Sequence, residues 1–186
     1  MRLFAGLAVA ADVRERLASA LAPLHPRVAG LRWSAPHGWH LTLAFLGDVD
    51  PHRLGDVRAV AARAAARAPA VELRIGAAGR FGPRVLWVGV DGDPPDATGA
   101  LGEDLQAALA GAGLPVQQRP VAPHLTVARA GRRAVDDRCV RLVDEVLAAT
   151  DARSMAWSVT ALTVWRSHLG DGPARYEVVG EAPLAG

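Results

Sequence analysis

Two short segments of the chain carry the same polar residues at the same spacing. His40 and Thr42 lie in the segment HLTL, and His124 and Thr126 lie in the segment HLTV, 84 residues further on. The twelve-residue stretches around the two motifs agree at six positions, where this composition would give about one by chance. This similarity indicates an internal duplication.

The two motifs predict a site for proton transfer to and from a phosphate ester. Each motif alternates as a half-buried strand does, so His40 and Thr42 share one face, about 7 Å apart, and His124 and Thr126 do the same. Two lobes related by a pseudo-two-fold axis bring both faces to one cleft. With unperturbed pKa values near 6.5, one imidazole is neutral and the other protonated at neutral pH. They supply a base and an acid, and the hydroxyls donate to phosphate oxygens.

A metal site is the rival use of paired histidines. Divalent metals usually take three or four protein ligands, with carboxylate or thiolate help, and neither motif contains either group. A single histidine on a strand is more often structural, but the duplication favours a shared function. We expect no metal and no cofactor.

The composition is that of an ordinary globular protein. The 186 residues, 51% hydrophobic and 22% charged, suffice for one packed domain and exclude a disordered or collagen-like chain. The single cysteine, Cys139, excludes an internal disulfide. All 21 basic residues are arginine, against 19 acidic residues. A GC-rich genome explains the missing lysines, and selection for phosphate binding is the functional alternative.

The periodicity of apolar residues predicts strands interspersed with helices, typical of an α+β or α/β class. A glycine-rich segment separates the third and fourth strands. Strands are predicted at 3–9, 39–45, 71–75, 85–90, 123–127, 158–165 and 176–179, and helices at 12–24, 54–64, 101–109 and 139–146. Residues 1–11 could pass for a signal peptide, but the charged run that follows at once favours a strand and a cytoplasmic protein. No apolar run approaches the ~18 residues that span a bilayer.

The two H-x-T-x motifs resemble the signature of the two-histidine (2H) phosphoesterases. Their surroundings are similar to the RNA 2′,3′-cyclic phosphodiesterase branch, also called the 2′-5′ RNA ligase or LigT-like family. The matching segments are spread over nearly the whole chain. They are Arg2–Ala5, Trp39–Gly47, Phe81–Val90, Pro123–Arg129 and Leu162–Tyr176.

The resemblance implies an α+β fold with two lobes, each with an antiparallel sheet and helices, and an active-site cleft on a pseudo-two-fold axis. We expect one domain over residues 1–186, built from two interleaved lobes with repeat copies at 2–47 and 85–131. The implied reaction is metal-independent hydrolysis of RNA 2′,3′-cyclic phosphate ends to 2′-phosphates. Ligation of 2′-5′ RNA ends is the reverse chemistry and a secondary activity.

The resemblance also assigns roles to residues. His124 accepts a proton from the attacking water, and His40 donates a proton to the departing 3′-oxygen. A pseudo-symmetric site reads nearly the same in both directions, so the two labels are interchangeable at this stage. Thr42 and Thr126 hold the phosphate.

Two residues after the motifs are harder to place. Arg129 follows the second motif as the family's phosphate-binding arginine does, but strand alternation turns it toward the core. Either the strand ends or bulges at Ala128 and Arg129 contacts the phosphate, which we favour, or Arg129 is structural. Phe45 could stack on a base at the cleft rim, but alternation predicts that it lies in the core.

We expect a monomer without membrane contact. It would act on an RNA with a 2′,3′-cyclic phosphate terminus, such as a tRNA fragment, or on a nucleotide. Two alternatives stay open. Because the motifs recognise only a phosphate, the substrate could instead be a small cyclic nucleotide or a 2′-5′ oligonucleotide. A non-catalytic module that binds RNA or nucleotides is the second, although the presence of both histidines favours an enzyme.

Overall fold

The computed structural model of the chain describes residues 1–168, 170 and 174–185. The strands of this part are β1 (Arg2–Ala8), β2 (Leu31–Trp33), β3 (His40–Asp48), β4 (Val71–Phe81), β5 (Val85–Asp93), β6 (His124–Ala130), β7 (Ala156–Val159), β8 (Ala161–His168) and β9 (Arg175–Pro183). The α-helices are α1 (Ala11–Leu21), α2 (Leu24–Arg27), α3 (Leu54–Ala65), α4 (Ala97–Gly111) and α5 (Asp137–Ala149).

The strands form two antiparallel sheets, ordered β3-β1-β8-β9 and β2-β6-β5-β4-β7. In each sheet the strand that carries the histidine motif pairs with the first strand of its own repeat copy, β3 with β1 and β6 with β5. On its other side, β1 pairs with β8 and β5 pairs with β4. The predicted α+β class, with an antiparallel sheet and helices in each lobe, is confirmed.

The helices cover the sheets with apolar faces spaced by four residues. In α1 the buried side chains include Val13, Leu17 and Leu21, and in α5 they include Val143 and Leu147. Side chains four residues apart lie one above the other on a helix, so such spacing makes one continuous apolar stripe. Helix α4, from the second copy, packs on β3 of the first copy. Helix α4 also contacts β5, so it touches both sheets.

The glycine-rich segment after Ile75 is part of a strand, which corrects the predicted loop. Strand β4 continues to its end at Phe81, with a bulge between Ile75 and Ala78. A Cβ on Gly79 would overlap the indole of Trp87 on the neighbouring strand. Glycine therefore lets Trp87 pack flat across β4, and the composition of the segment reflects that close approach rather than a chain break.

Other predicted boundaries also move. The single strand predicted at 158–165 is two strands, because β7 pairs with β4 and β8 pairs with β1. The chain thus passes from one sheet to the other at Thr160. The helix predicted at 12–24 ends at Leu21, and the three-residue strand β2 lies between that helix and the strand predicted at 39–45, where no element was predicted. None of the helices in the described ranges is long and apolar enough to cross a membrane.

Candidate active site

Each motif histidine is oriented by a backbone carbonyl two residues before it. The Nδ1 atom of His40 lies 2.7 Å from the carbonyl oxygen of Gly38, and Nδ1 of His124 lies 2.6 Å from that of Ala122. A carbonyl only accepts hydrogen bonds, so Nδ1 carries the proton in both rings. The Nε2 atom is then the nitrogen left to take up or give a proton, in both copies.

Aromatic rings enclose both imidazoles in a related way. His40 packs against Phe4 at 4.4 Å and Trp165 at 5.6 Å between ring centroids. His124 packs against Phe81 at 4.8 Å and Trp87 at 6.1 Å. In each copy one ring comes from the adjacent strand of the repeat and one from the strand beyond it. The duplicated strands therefore build two similar imidazole pockets.

A fifth ring makes the first pocket the more enclosed of the two. Tyr176 on β9 lies edge-on to His40, with ring centroids 5.0 Å apart. Burial lowers the pKa of His40 to about 4, against a raising effect of the bond to Gly38 and smaller lowering effects from the charges of His124 and Arg129. Removing water disfavours the charged imidazolium, which is why burial dominates.

The pKa of His124 is lowered as well. Burial is again the largest cause, the bond to Ala122 opposes it, and the charges of Arg119 and Arg129 add to the lowering. The sequence-based expectation assumed unperturbed pKa values, which would leave one imidazole protonated at neutral pH. That expectation is therefore wrong for the unliganded protein. Both rings are neutral there, because aromatic enclosure and nearby guanidinium groups disfavour the proton.

Both histidine strands contain a bulge at the same position of the repeat. Opposite β1 the extra residue is Leu43, and opposite β5 it is Val127. An extra residue shifts the alternation of a strand by one, so the side chain three positions after each threonine returns to the face of the motif. Those side chains are Phe45 and Arg129, which both line the cleft.

These bulges determine the strand face on which Arg129 and Phe45 lie, and simple alternation gives the wrong face for both. Arg129 is exposed and lies at the cleft, because the bulge at Val127 reverses the parity that turns it toward the core. The prediction of a core position for Phe45 is wrong for the same reason, since it is only partly buried.

A buried glutamine, which sequence reasoning missed, holds the first bulge. Gln106 on α4 is 5% exposed, and its Nε2 donates to the carbonyl of Leu43 at 2.8 Å. Its Oε1 accepts from the backbone N–H of Arg119 at 2.8 Å. The corresponding carbonyl of Val127 accepts instead from the N–H of Ser34. A glutamine among the apolar positions of α4 was the only sequence signal.

The cleft contains a cavity of about 700 Å³ lined by residues of both sheets. Among the sequence-predicted site residues, Thr42, His124, Thr126 and Arg129 line it. His40 lies beside the cavity rather than on its lining, behind side chains that do line it. Its imidazole packs against Phe4 and Tyr176, two side chains that line the cavity.

The polar lining of the cavity is basic. Arg2 and Arg119 join Arg129 there, and no aspartate or glutamate of the described residues lines it. In the described part of the chain, no group of three or more His, Cys, Asp or Glu side chains is arranged to hold a metal ion. The arrangement suits an anion flanked by two imidazoles.

Comparison with known proteins agrees with this geometry. The 2′-5′ RNA ligase superfamily matches residues 11–171 of the chain. The chain belongs to the 2′-5′ RNA ligase superfamily. Its fold is thus that of a LigT-like member of this superfamily.

Relatives within the superfamily include named enzymes. The chain is 31% identical over 158 residues to the RNA 2′,3′-cyclic phosphodiesterase of Geobacillus stearothermophilus, covering 83% of this chain and 48% of that protein. It therefore spans about half the length of that relative. It is 30% identical to the RNA 2′,3′-cyclic phosphodiesterase of Escherichia coli (strain K12), covering 94% of this chain and 92% of that one. The crystal structure of E. coli LigT complexed with 3′-AMP superposes with a TM-score of 0.76 at 28% identity, covering 98% and 97% of the two chains.

Proposed function

We propose that this chain hydrolyses RNA 2′,3′-cyclic phosphate ends to 2′-phosphates by acid–base catalysis at its two motif histidines. The supporting observation is the duplicated imidazole geometry. His40 and His124 both hold their Nδ1 proton on a backbone carbonyl and leave Nε2 for chemistry. His124 lines a cleft that also presents two threonines and an arginine, and His40 packs against Phe4 and Tyr176 of the same lining.

In the proposed reaction, Nε2 of His124 takes a proton from water as the water oxygen bonds to phosphorus. The bond between phosphorus and the 3′-oxygen breaks, and Nε2 of His40 gives its proton to that oxygen. The products are a 2′-phosphate and a free 3′-hydroxyl. After the reaction His124 is protonated and His40 is neutral. The two histidines must therefore exchange protons with solvent before the next turnover.

The non-bridging phosphate oxygens need donors that strengthen as charge develops. Thr42 and Thr126 offer hydroxyls from the two motif strands, and Arg129 offers a planar guanidinium suited to bidentate contact. We assign all three to phosphate binding. The bulge at Val127 supports the assignment of Arg129, because it turns this side chain to the face of His124 and Thr126.

The acid must acquire its proton together with the substrate. Burial lowers the pKa of His40 to about 4, so this ring is neutral at neutral pH until an anion binds. A cyclic phosphate carries one negative charge, which favours the imidazolium at close range and raises the pKa. Substrate binding therefore prepares the acid, and the ring is otherwise held in its uncharged form.

The proposal assigns both proton transfers to imidazoles and none to a metal-bound water. It treats 2′-5′ RNA ligation as the reverse reaction and as a secondary activity, because the same two groups with exchanged protons catalyse both directions. A single domain of two interleaved lobes, acting as a monomer in the cytoplasm, completes the proposal.

The test is hydrolysis of a short RNA that ends in a 2′,3′-cyclic phosphate, in the presence of EDTA, with the product end identified. Formation of a 2′-phosphate supports the proposal. A 3′-phosphate would reverse which oxygen leaves, and activity that EDTA abolishes and a divalent ion restores would contradict the metal-independent mechanism. If no cyclic phosphate is turned over, the proposal is contradicted, which leaves the binding module or a different phosphoester substrate.

A further inference from the structure

The cleft contains more positive charge than the terminal phosphate requires. Three arginines line the cavity, whereas the chain as a whole has a net charge of only +2. A cyclic phosphate brings one negative charge, and Arg129 already lies on the face of His124 and Thr126. Arg2 and Arg119 are therefore not needed to neutralise the terminal phosphate.

Arg2 is held beside the motif strand of the first copy. Its guanidinium carbon lies 4.9 Å from the centroid of the Phe45 ring, within the range of a cation–π contact. Phe45 occupies the position in the first copy that Arg129 occupies in the second. At this position the first lobe has the Phe45 ring with the guanidinium of Arg2 stacked on it. The second lobe has the guanidinium of Arg129 itself.

Arg119 is held at the same wall of the cleft by two backbone contacts. Its N–H donates to Oε1 of the buried Gln106, and the N–H of Gln117 donates to the carbonyl of Phe45 at 3.0 Å. The segment that carries Arg119 is therefore tied to the strand that carries Phe45, against which Arg2 packs. The charge of Arg119 also reaches His124, whose pKa it helps to lower.

Neither arginine is neutralised by a neighbour in the described part of the chain. The ion pairs found there involve other arginines, such as Arg53 with Asp56 and Arg80 with Asp137, and none involves Arg2 or Arg119. With no carboxylate among the described lining residues, these two cations remain available to an anion in the cleft.

We propose that Arg2 and Arg119 form a subsite for a second phosphate, the one attached to the 5′-oxygen of the terminal nucleotide. This inference rests on the proposed function and refines it, since it makes a terminal nucleotide with a second phosphate, as in RNA, a better substrate than a nucleoside 2′,3′-cyclic phosphate without one. In an RNA the second phosphate is the next backbone phosphodiester. In a mononucleotide it is a 5′-phosphate. The chemistry that the subsite recognises is the same.

The experiment compares three substrates with the same terminal nucleoside. They are the nucleoside 2′,3′-cyclic phosphate, the same compound with a 5′-phosphate, and a dinucleotide that ends in the cyclic phosphate. We expect kcat/KM to be roughly tenfold higher for the two substrates with a second phosphate. The advantage should shrink as salt rises, because phosphate contacts release bound counterions.

Arg2→Ala and Arg119→Ala should each reduce the ratio of kcat/KM between the 5′-phosphorylated and unphosphorylated substrates by roughly three- to tenfold. The ratio cancels any effect that loss of Arg119 has on His124. Arg2→Lys and Arg119→Lys keep the charge and should retain part of the preference. Arg63→Ala removes an exposed charge on α3, outside the cavity, and should leave the ratio unchanged.

The outcomes separate the subsite from the reaction itself. Equal efficiency on all three substrates, or an unchanged ratio in both alanine variants, would overturn the subsite while leaving the proposed function intact. A gain for the dinucleotide without a gain for the 5′-phosphorylated mononucleotide would assign the preference to the extra nucleoside and would also overturn it. Failure to turn over any of the three would instead contradict the proposed function.

Discussion

Burial of an uncharged His40 makes the stability of the protein depend on pH in a way that one substitution should remove. The pKa of this imidazole is lowered from 6.5 to about 4 in the folded protein. Between these two values the unfolded chain binds a proton that the folded chain does not, so the free energy of unfolding falls as the pH falls. Above pH 6.5 both states are neutral at this residue, and the effect vanishes.

The size of the effect follows from the two pKa values. Each pKa unit corresponds to about 1.4 kcal/mol, so the full shift is worth about 3.5 kcal/mol, of which about 2.5 kcal/mol is lost by about pH 4.5. His40→Asn removes the titrating ring, and the asparagine amide can still donate to the carbonyl of Gly38. The carboxylates that titrate in the same range are common to both proteins and cancel in the comparison.

The assay is denaturant unfolding of the wild type and of His40→Asn near pH 7 and near pH 4.5. The free energy of unfolding of the wild type should fall by about 2.5 kcal/mol more than that of the variant over this interval. Parallel losses in the two proteins would mean that His40 titrates normally, and would refute the argument that aromatic enclosure keeps it neutral. An NMR titration of the ring would report the same pKa directly.

Two further predictions concern the cleft. His40→Ala and His124→Ala should each reduce kcat by several orders of magnitude, and the double variant should lose little more, because groups that act as a unit are not additive; near-wild-type turnover in a single variant would contradict the acid–base pair. Gln106→Leu leaves the carbonyl of Leu43 without its donor, which should cost about 1–3 kcal/mol of stability and raise KM. Gln106→Glu keeps the acceptor for Arg119 but buries a carboxylate that faces the carbonyl of Leu43, so near pH 7 it should destabilise the protein at least as much as Gln106→Leu; equal stability of all three proteins would show that this bond does not hold the bulge.

Strand alternation and the duplication were enough to predict much of the site. Side chains alternate with a period of two residues up to each threonine. This alternation correctly predicts that the histidine and the threonine of each motif share one face of their strand, His40 with Thr42 and His124 with Thr126. The two matching histidines also indicated two related lobes. These inferences needed only local spacing and a comparison of the chain with itself.

The bulges, the change of sheet and the protonation of the site depend on contacts between distant residues, which the spacing of residues along the sequence does not reveal. A bulge adds one residue to a strand without a compositional mark, so alternation misplaced Phe45 and required an assumption for Arg129. The sheet change at Thr160 follows from pairing partners far along the chain. The low pKa of His40 arises from Phe4, Trp165 and other rings that only the fold brings together. Local pattern thus predicted the motifs, while their protonation required the packed structure.

The division of labour between the two histidines is tested most directly by a substrate whose leaving group needs no acid. In an RNA end with sulfur in place of the bridging 3′-oxygen, the departing thiolate is stable without a proton. His40→Ala should then recover most of its lost rate relative to the oxygen substrate, whereas His124→Ala should stay inactive on both. Recovery in His124→Ala instead of His40→Ala would contradict the assignment of His40 as the acid and His124 as the base.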